Sequence, residues 1–152
     1  MDFSKYEIVP LSVEHITPVT LLWREAMSAA IGIAPIHSFE SQAYFLEHII
    51  AQSHRVWVVT IMETSKPVAF IACSEEEVNQ LYVNVAYQGL GMGKQLLDIA
   101  KEQSNGLLTL RTFEINKRAQ RFYRANGFAI TDGNSDNEEN LPDLVCTWVR
   151  GI

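Results

Sequence analysis

A chain of 152 residues with 47% hydrophobic content is long enough for one domain with a full core, inside the usual range of about 100 to 200 residues per domain. Its formal charge of -6 argues against nucleic acid or an anionic membrane as the main partner, while small cationic substrates are tolerated. Met1 is followed by Asp2, Lys5 and Glu7 with no apolar leader, and no run of about 18 apolar residues occurs, so a soluble cytoplasmic protein is expected.

Residues 5–10 (KYEIVP) read as a short strand ended by Pro10. Ser12 then supplies an N-cap, and Ile16, Val19, Leu22, Trp23, Ala26 and Met27 recur at helical spacing. Ser38 opens a second helix without a capping box, striped by Phe39, Ala43, Leu46 and Ile50. RVWVVTIME, KPVAFIACS and EEVNQLYVNV are three β-rich runs, the first two joined by a turn at Thr64-Ser65-Lys66-Pro67. A helix over 91–104, the strand LLTLRTF and a helix over 116–126 follow. GFAITD and DLVCTWVR then form two strands around a polar loop. The order β αα βββ α β α ββ predicts a mixed α/β domain spanning 1–152 rather than a regular βαβ winding.

Cys73 and Cys146 sit far apart in apolar, β-rich segments, which suits buried reduced thiols better than a disulfide or a zinc site. His15, His37, His48 and His54 show no ligand spacing and read as structural or surface residues, so no metal is expected. The stretch YQGLGMGKQLLDIAK is more informative, because three glycines at alternate positions run straight into a helical pattern. It fails the Walker pattern, with Gln88 and Gln95 at the two ends, and the dinucleotide pattern, with Lys94 or Leu96 where the third glycine belongs. What remains is a backbone free of side chains at a helix N-terminus, which gathers N–H groups toward an anion, with Lys94 adding charge. The plainer alternative is a turn that happens to contain glycines.

The pattern Gln88-x-x-Gly91-x-Gly93 after the strand Leu81-Tyr82-Val83, followed by Asn116 and by Tyr123-x-x-x-Gly127-Phe128, resembles the GNAT superfamily of acyl-CoA-dependent N-acyltransferases. The resemblance is specific over 77–132 and architectural over 1–76; the tail DGNSDNEENLPDL is similar to that of a bacterial subgroup. It implies a mostly antiparallel central sheet of about seven strands flanked by about four helices. It further implies that Gln88, Gly89, Leu90, Gly91, Met92, Gly93 and Lys94 bind the pyrophosphate of acetyl-CoA through backbone N–H groups. The strand at Tyr82, Val83 and Asn84 would splay from its neighbour and pair with the pantetheine arm. Asn116 would cap its helix and hold that arm.

The same resemblance makes Tyr123 the proton donor to the leaving thiolate, against the alternative of an aromatic core residue. It makes Glu77 the general base, through a bridging water, against the alternative that Glu75, Glu76 and Glu77 form a solvated start to the strand. A base is needed because an alkylammonium group, with a pKa of about 10.4, holds little free amine at neutral pH. A second family variant places a carboxylate where Arg111 stands, and is excluded. Asp132, Asn134 and Asp136 match the first three ligand positions of an EF-hand loop, but Asn137 replaces the required glycine and Asp143 the final glutamate, so a hydrated loop is expected, able to attract a cationic acceptor if it reaches the cleft. Trp23, Ile31, Ile33, Ile36 and Phe39 could wall an acceptor pocket or simply cover the sheet. The expectation is acetyl transfer from acetyl-CoA to a small-molecule or peptide amine by direct attack, with self-association into a homodimer left open. A non-catalytic acyl-CoA sensor or an interaction domain on the same fold is the alternative.

Overall fold

The computed structural model describes residues 4–151. Two hydrogen-bonded sheets form its centre, one ordered β1-β2-β3-β4 and the other β5-β7-β6. The strands of the first are β1 (Tyr6–Pro10), β2 (Arg55–Ile61), β3 (Pro67–Cys73) and β4 (Val78–Val83). Those of the second are β5 (Leu107–Phe113), β6 (Ala129–Asp132) and β7 (Asp143–Val149). Every paired strand is antiparallel. The KPVAFIACS run lacks alternation because β3 is buried at every position, with β2 and β4 on its edges and helices on both faces. β5 alternates instead, turning Leu108, Leu110 and Thr112 inward.

Helix α1 (Ile16–Ile31) enters through a 3₁₀ turn at Val13–His15, where the Ser12 backbone N–H donates to His15 Nδ1 at 3.1 Å. His15 is accordingly a buried structural residue. Ser38 caps α2 (Phe39–Phe45) by accepting from the Ser41 N–H at 3.1 Å. The single helix expected beyond it is broken by a π turn at Leu46–Ile50, followed by the short α3 (Ala51–Ser53). Such a turn carries an extra residue and leaves no periodicity signal in a segment this short. Helices α4 (Met92–Gln103) and α5 (Lys117–Ala125) lie where the sequence predicts them.

The first sheet separates two apolar clusters. On one face Val19, Leu22, Trp23 and Leu46 meet Val58 and Phe70; on the other Leu96, Leu97 and Met92 of α4 meet Val59, Ile71 and Val78. Each fully buried leucine contributes about 1.5–3 kcal/mol. Trp23 and Ile31 are thus core rather than pocket wall, whereas Ile33 and Ile36 are exposed. Cys73 and Cys146 are both free and buried. None of the described helices is long and apolar enough to cross a membrane.

The sheets touch where β4 begins. A parallel bridge joins Glu77 to Thr109, and the Thr109 N–H donates to the Glu76 carbonyl at 3.0 Å. Beyond it β4 and β5 belong to different ladders, so a gap opens between them.

Candidate active site

The gap leads to the start of α4. β4 ends at Val83, a 3₁₀ turn covers Val85–Tyr87, and Gly89 and Gly91 follow with φ of 80° and 89°. A side-chain-bearing residue in that left-handed region costs about 1–2 kcal/mol, which accounts for glycine at the N-cap, Gly91. The first intrahelical donor is Gln95, bonded to the Gly91 carbonyl at 3.1 Å, so helix geometry leaves the N–H groups of Met92, Gly93 and Lys94 without intrahelical acceptors. Gly93 serves packing: a Cβ there would stand 3.1 Å from Phe122 Cζ, which fixes how closely α4 and α5 approach. The charge expected from Lys94 is partly spent on Asp98, 2.8 Å away one helical turn on.

A cleft of about 720 Å³ runs from this helix start between β4 and α5 to α1. Tyr82, Val83, Gln88, Gly89, Gly91, Met92, Gly93, Lys94, Asn116 and Tyr123 all line it; Asn84, Leu90 and Glu77 do not. Asn84 has other work: its N–H donates to the Val68 carbonyl at 2.8 Å, and its side chain accepts from the Ala86 N–H at 2.9 Å. Since hydrogen-bonded pairs alternate along an antiparallel ladder, Asn84 and Tyr82 direct their backbone groups at β3, and Leu81 and Val83 direct theirs into the gap. The Val83 carbonyl already accepts from Gln88 Nε2 at 3.2 Å. The open edge therefore consists of both Leu81 groups and the Val83 N–H.

Asn116 is the N-cap of α5, its Oδ1 accepting from the Ala119 N–H at 3.1 Å, which leaves Nδ2 for a ligand. Two turns along, Tyr123 packs edge-on against Phe122 and Phe128, at ring separations of 5.2 and 5.6 Å. Both readings of Tyr123 hold together: the ring is core, only 7% exposed, and it also lines the cleft. Among the described residues nothing bonds its hydroxyl, yet that oxygen is not sealed from solvent. Burial, reinforced by Tyr82 and Cys146, raises its pKa well above the ordinary phenol range, so it stays a proton-carrying donor at neutral pH. Burial pushes Tyr82 up to about 12, with the Glu139 carboxylate adding to the effect.

Glu77 sits at the bridge, four residues before Leu81, or roughly 13 Å of strand. Its Oε2 meets His54 Nε2 at 2.9 Å. The acidic loop between β6 and β7 is held by its own hydrogen bonds and by Arg111, whose Nη1 contacts both oxygens of buried Asp143, at 3.0 and 3.2 Å. Glu138 reaches across to His37 on the α1–α2 connection at 2.7 Å. The loop is thus tied to the α1–α2 connection, and none of its residues lines the cleft. Among the described residues no group of three or more His, Cys, Asp or Glu side chains is arranged to hold a metal.

Sequence reasoning missed three contributors. Arg118 lines the cleft with Nη2 beside Gly89, 3.9 Å from where a Cβ would be. The pair Lys117-Arg118 directly after a helix cap was the available signal. Ala26, Ala29 and Ala30 of α1 give the far wall its room, which nothing in the helical pattern announces. His54 was passed over for lack of ligand spacing, a test blind to a partner 23 residues away.

A split sheet, a glycine-opened helix start at the gap and a buried phenol in the same cleft define an acyltransferase-type architecture. The Acetyltransferase (GNAT) domain family matches residues 52–130. The peptidyl-lysine N-acetyltransferase YjaB of Salmonella typhimurium is 30% identical over 115 residues, covering 72% of this chain and 74% of that protein. The chain therefore belongs to the GNAT acetyltransferase family. The solution structure of apo YjaB from Escherichia coli superposes with a TM-score of 0.73 at 20% identity, covering 93% of this chain and 95% of that one. The PaiA N-acetyltransferase of Thermoplasma acidophilum, solved with coenzyme A, gives 0.74 at 21% identity, over 95% and 98%. These two likenesses establish the shared fold.

Proposed function

We propose that this chain, acting as one domain, transfers an acetyl group from acetyl-CoA to a primary amine by direct attack, with the lysine side chain of a peptide as the acceptor class. The observation that carries the reading is the Tyr123 hydroxyl: without a bonding partner among the described residues, held protonated by burial, and open to the cleft that begins at the α4 N-terminus. The fit to the co-substrate rests on the residues themselves. The N–H groups of Met92, Gly93 and Lys94, with the Arg118 guanidinium, suit a diphosphate, and the Leu81 and Val83 edge suits an extended amide-bearing arm. When bound, acetyl-CoA supplies a thioester carbon open to attack by the amine.

Tyr123 then delivers a proton to the departing sulfur, which spares the site a free thiolate. Glu77 takes a proton from the acceptor through bridging water. Support for a lysine acceptor comes from the peptidyl-lysine acetyltransferase relative. The test is thiol release from acetyl-CoA with lysine peptides, polyamines and aminoglycosides. Release that stays at the hydrolytic background with every amine would refute the reading; release with polyamines alone would refute the peptide acceptor.

A further inference from the structure

Acylating an ammonium group liberates a proton. As the N–C bond forms and the C–S bond breaks, the nitrogen sheds two protons; one is balanced by the proton the sulfur gains through Tyr123, and the other must leave. Its receiver in the reading above is Glu77, and the surroundings of that carboxylate are specific. Oε2 meets both His54 Nε2, at 2.9 Å, and Asn79 Nδ2, at 3.3 Å, so both contacts fall on one oxygen and Oε1 stays open.

The far side of the imidazole is fixed as well, with His54 Nδ1 2.8 Å from Ser53 Oγ. Ser53 Oγ also meets the Ile49 and Ile50 carbonyls, at 3.1 and 3.4 Å. When the imidazole is neutral, the serine hydroxyl donates to Nδ1. The imidazole is thus held from both sides, between Ser53 and the Glu77 carboxylate. The His54 side chain is only 16% exposed against 44% for Glu77, and it lines a second cleft of about 490 Å³ together with Ser53. The charged and titratable groups facing it are Arg55 beside it, Cys73 at the end of β3, and Glu75, Glu76 and Glu77 before β4.

We propose that His54, braced by Ser53, is the positioning residue for Glu77, holding Oε2 so that Oε1 is presented to the water that carries the acceptor's proton. The inference rests on the reading of Glu77 as proton acceptor.

The experiment measures thiol release against pH for the wild type and for His54→Ala, His54→Gln and Glu77→Gln, with the best peptide or polyamine acceptor. Thermal unfolding and coenzyme A binding are followed in parallel. Glu77→Gln is expected to lose about 100-fold or more in kcat. His54→Ala should lose about tenfold in kcat at unchanged KM for acetyl-CoA, with an altered acid limb of the pH profile and partial recovery in buffer containing imidazole. His54→Gln, which still donates to Oε2, should recover much of the rate. A wild-type kcat and pH profile in His54→Ala, or a loss that tracks lowered Tm and ignores imidazole, would overturn the assignment. Full activity in Glu77→Gln would remove the Glu77 reading and the role of His54 with it, leaving the transferase activity standing. A wild type that releases no thiol would overturn all three.

Discussion

Replacing Tyr123 with phenylalanine separates chemistry from packing more cleanly than any other change in the cleft. The ring contacts with Phe122 and Phe128, at 5.2 and 5.6 Å, survive the substitution. The hydroxyl has no partner to lose among the described residues, so stability should move by less than about 1 kcal/mol. What disappears is the proposed proton donor, worth about 10²–10⁴ in kcat, or about 2.7–5.4 kcal/mol of barrier. Burial keeps the phenol protonated well past neutrality, so the loss should be uniform from about pH 6 to about pH 9. The assay is single-turnover thiol release at saturating acetyl-CoA and amine, with calorimetry to show coenzyme A binding intact. A variant that matched the wild-type rate when chemistry is limiting would refute the reasoning.

Arg118→Ala should raise the KM for acetyl-CoA about tenfold, equivalent to about 1.4 kcal/mol, while Tm stays put; an unchanged KM would place the guanidinium outside the binding site. Gly93→Val should cost about 1–3 kcal/mol in urea unfolding, because even a Cβ would lie 3.1 Å from the Phe122 ring; an unshifted midpoint would mean that α5 yields freely. Arg111→Ala should destabilise by about 1.5–3 kcal/mol, since Asp143 is buried and retains only the Asn134 N–H of its strongest contacts. Alkaline pH should unfold the protein in a specific window. Tyr82 and Tyr123 have folded values raised above the ordinary phenol value, so their contribution is fully present below about pH 10 and is lost as pH rises through the folded values, about 12 for Tyr82. Tyr123→Phe should flatten the upper part of that loss, as seen by circular dichroism.

Much of this molecule can be read from the chain because its signals are local. Alternate glycines before an amphipathic helix, the unbroken apolar run of β3 and the cap at Asn116 each announce themselves within a few residues. The strand that bears the open edge was legible, but not which of its residues face the gap. That depends on register against β3, and a shift of one residue exchanges Leu81 and Val83 for Tyr82 and Asn84. The π turn was hidden because insertion of one residue in a short helix leaves its apolar stripe nearly intact. His54 with Glu77, His37 with Glu138, and Arg118 over Gly89 all join residues distant in sequence, so only the folded chain reveals them.

The single bridge between Glu77 and Thr109 carries a mechanical consequence. Two ladders that share one rung behave as separate leaves, and a ligand whose amides zip onto the vacant rim of β4 while its diphosphate rivets α4 acts as a binding stitched into the spine. If coenzyme A is held as proposed, amide exchange should slow across both leaves when it is added.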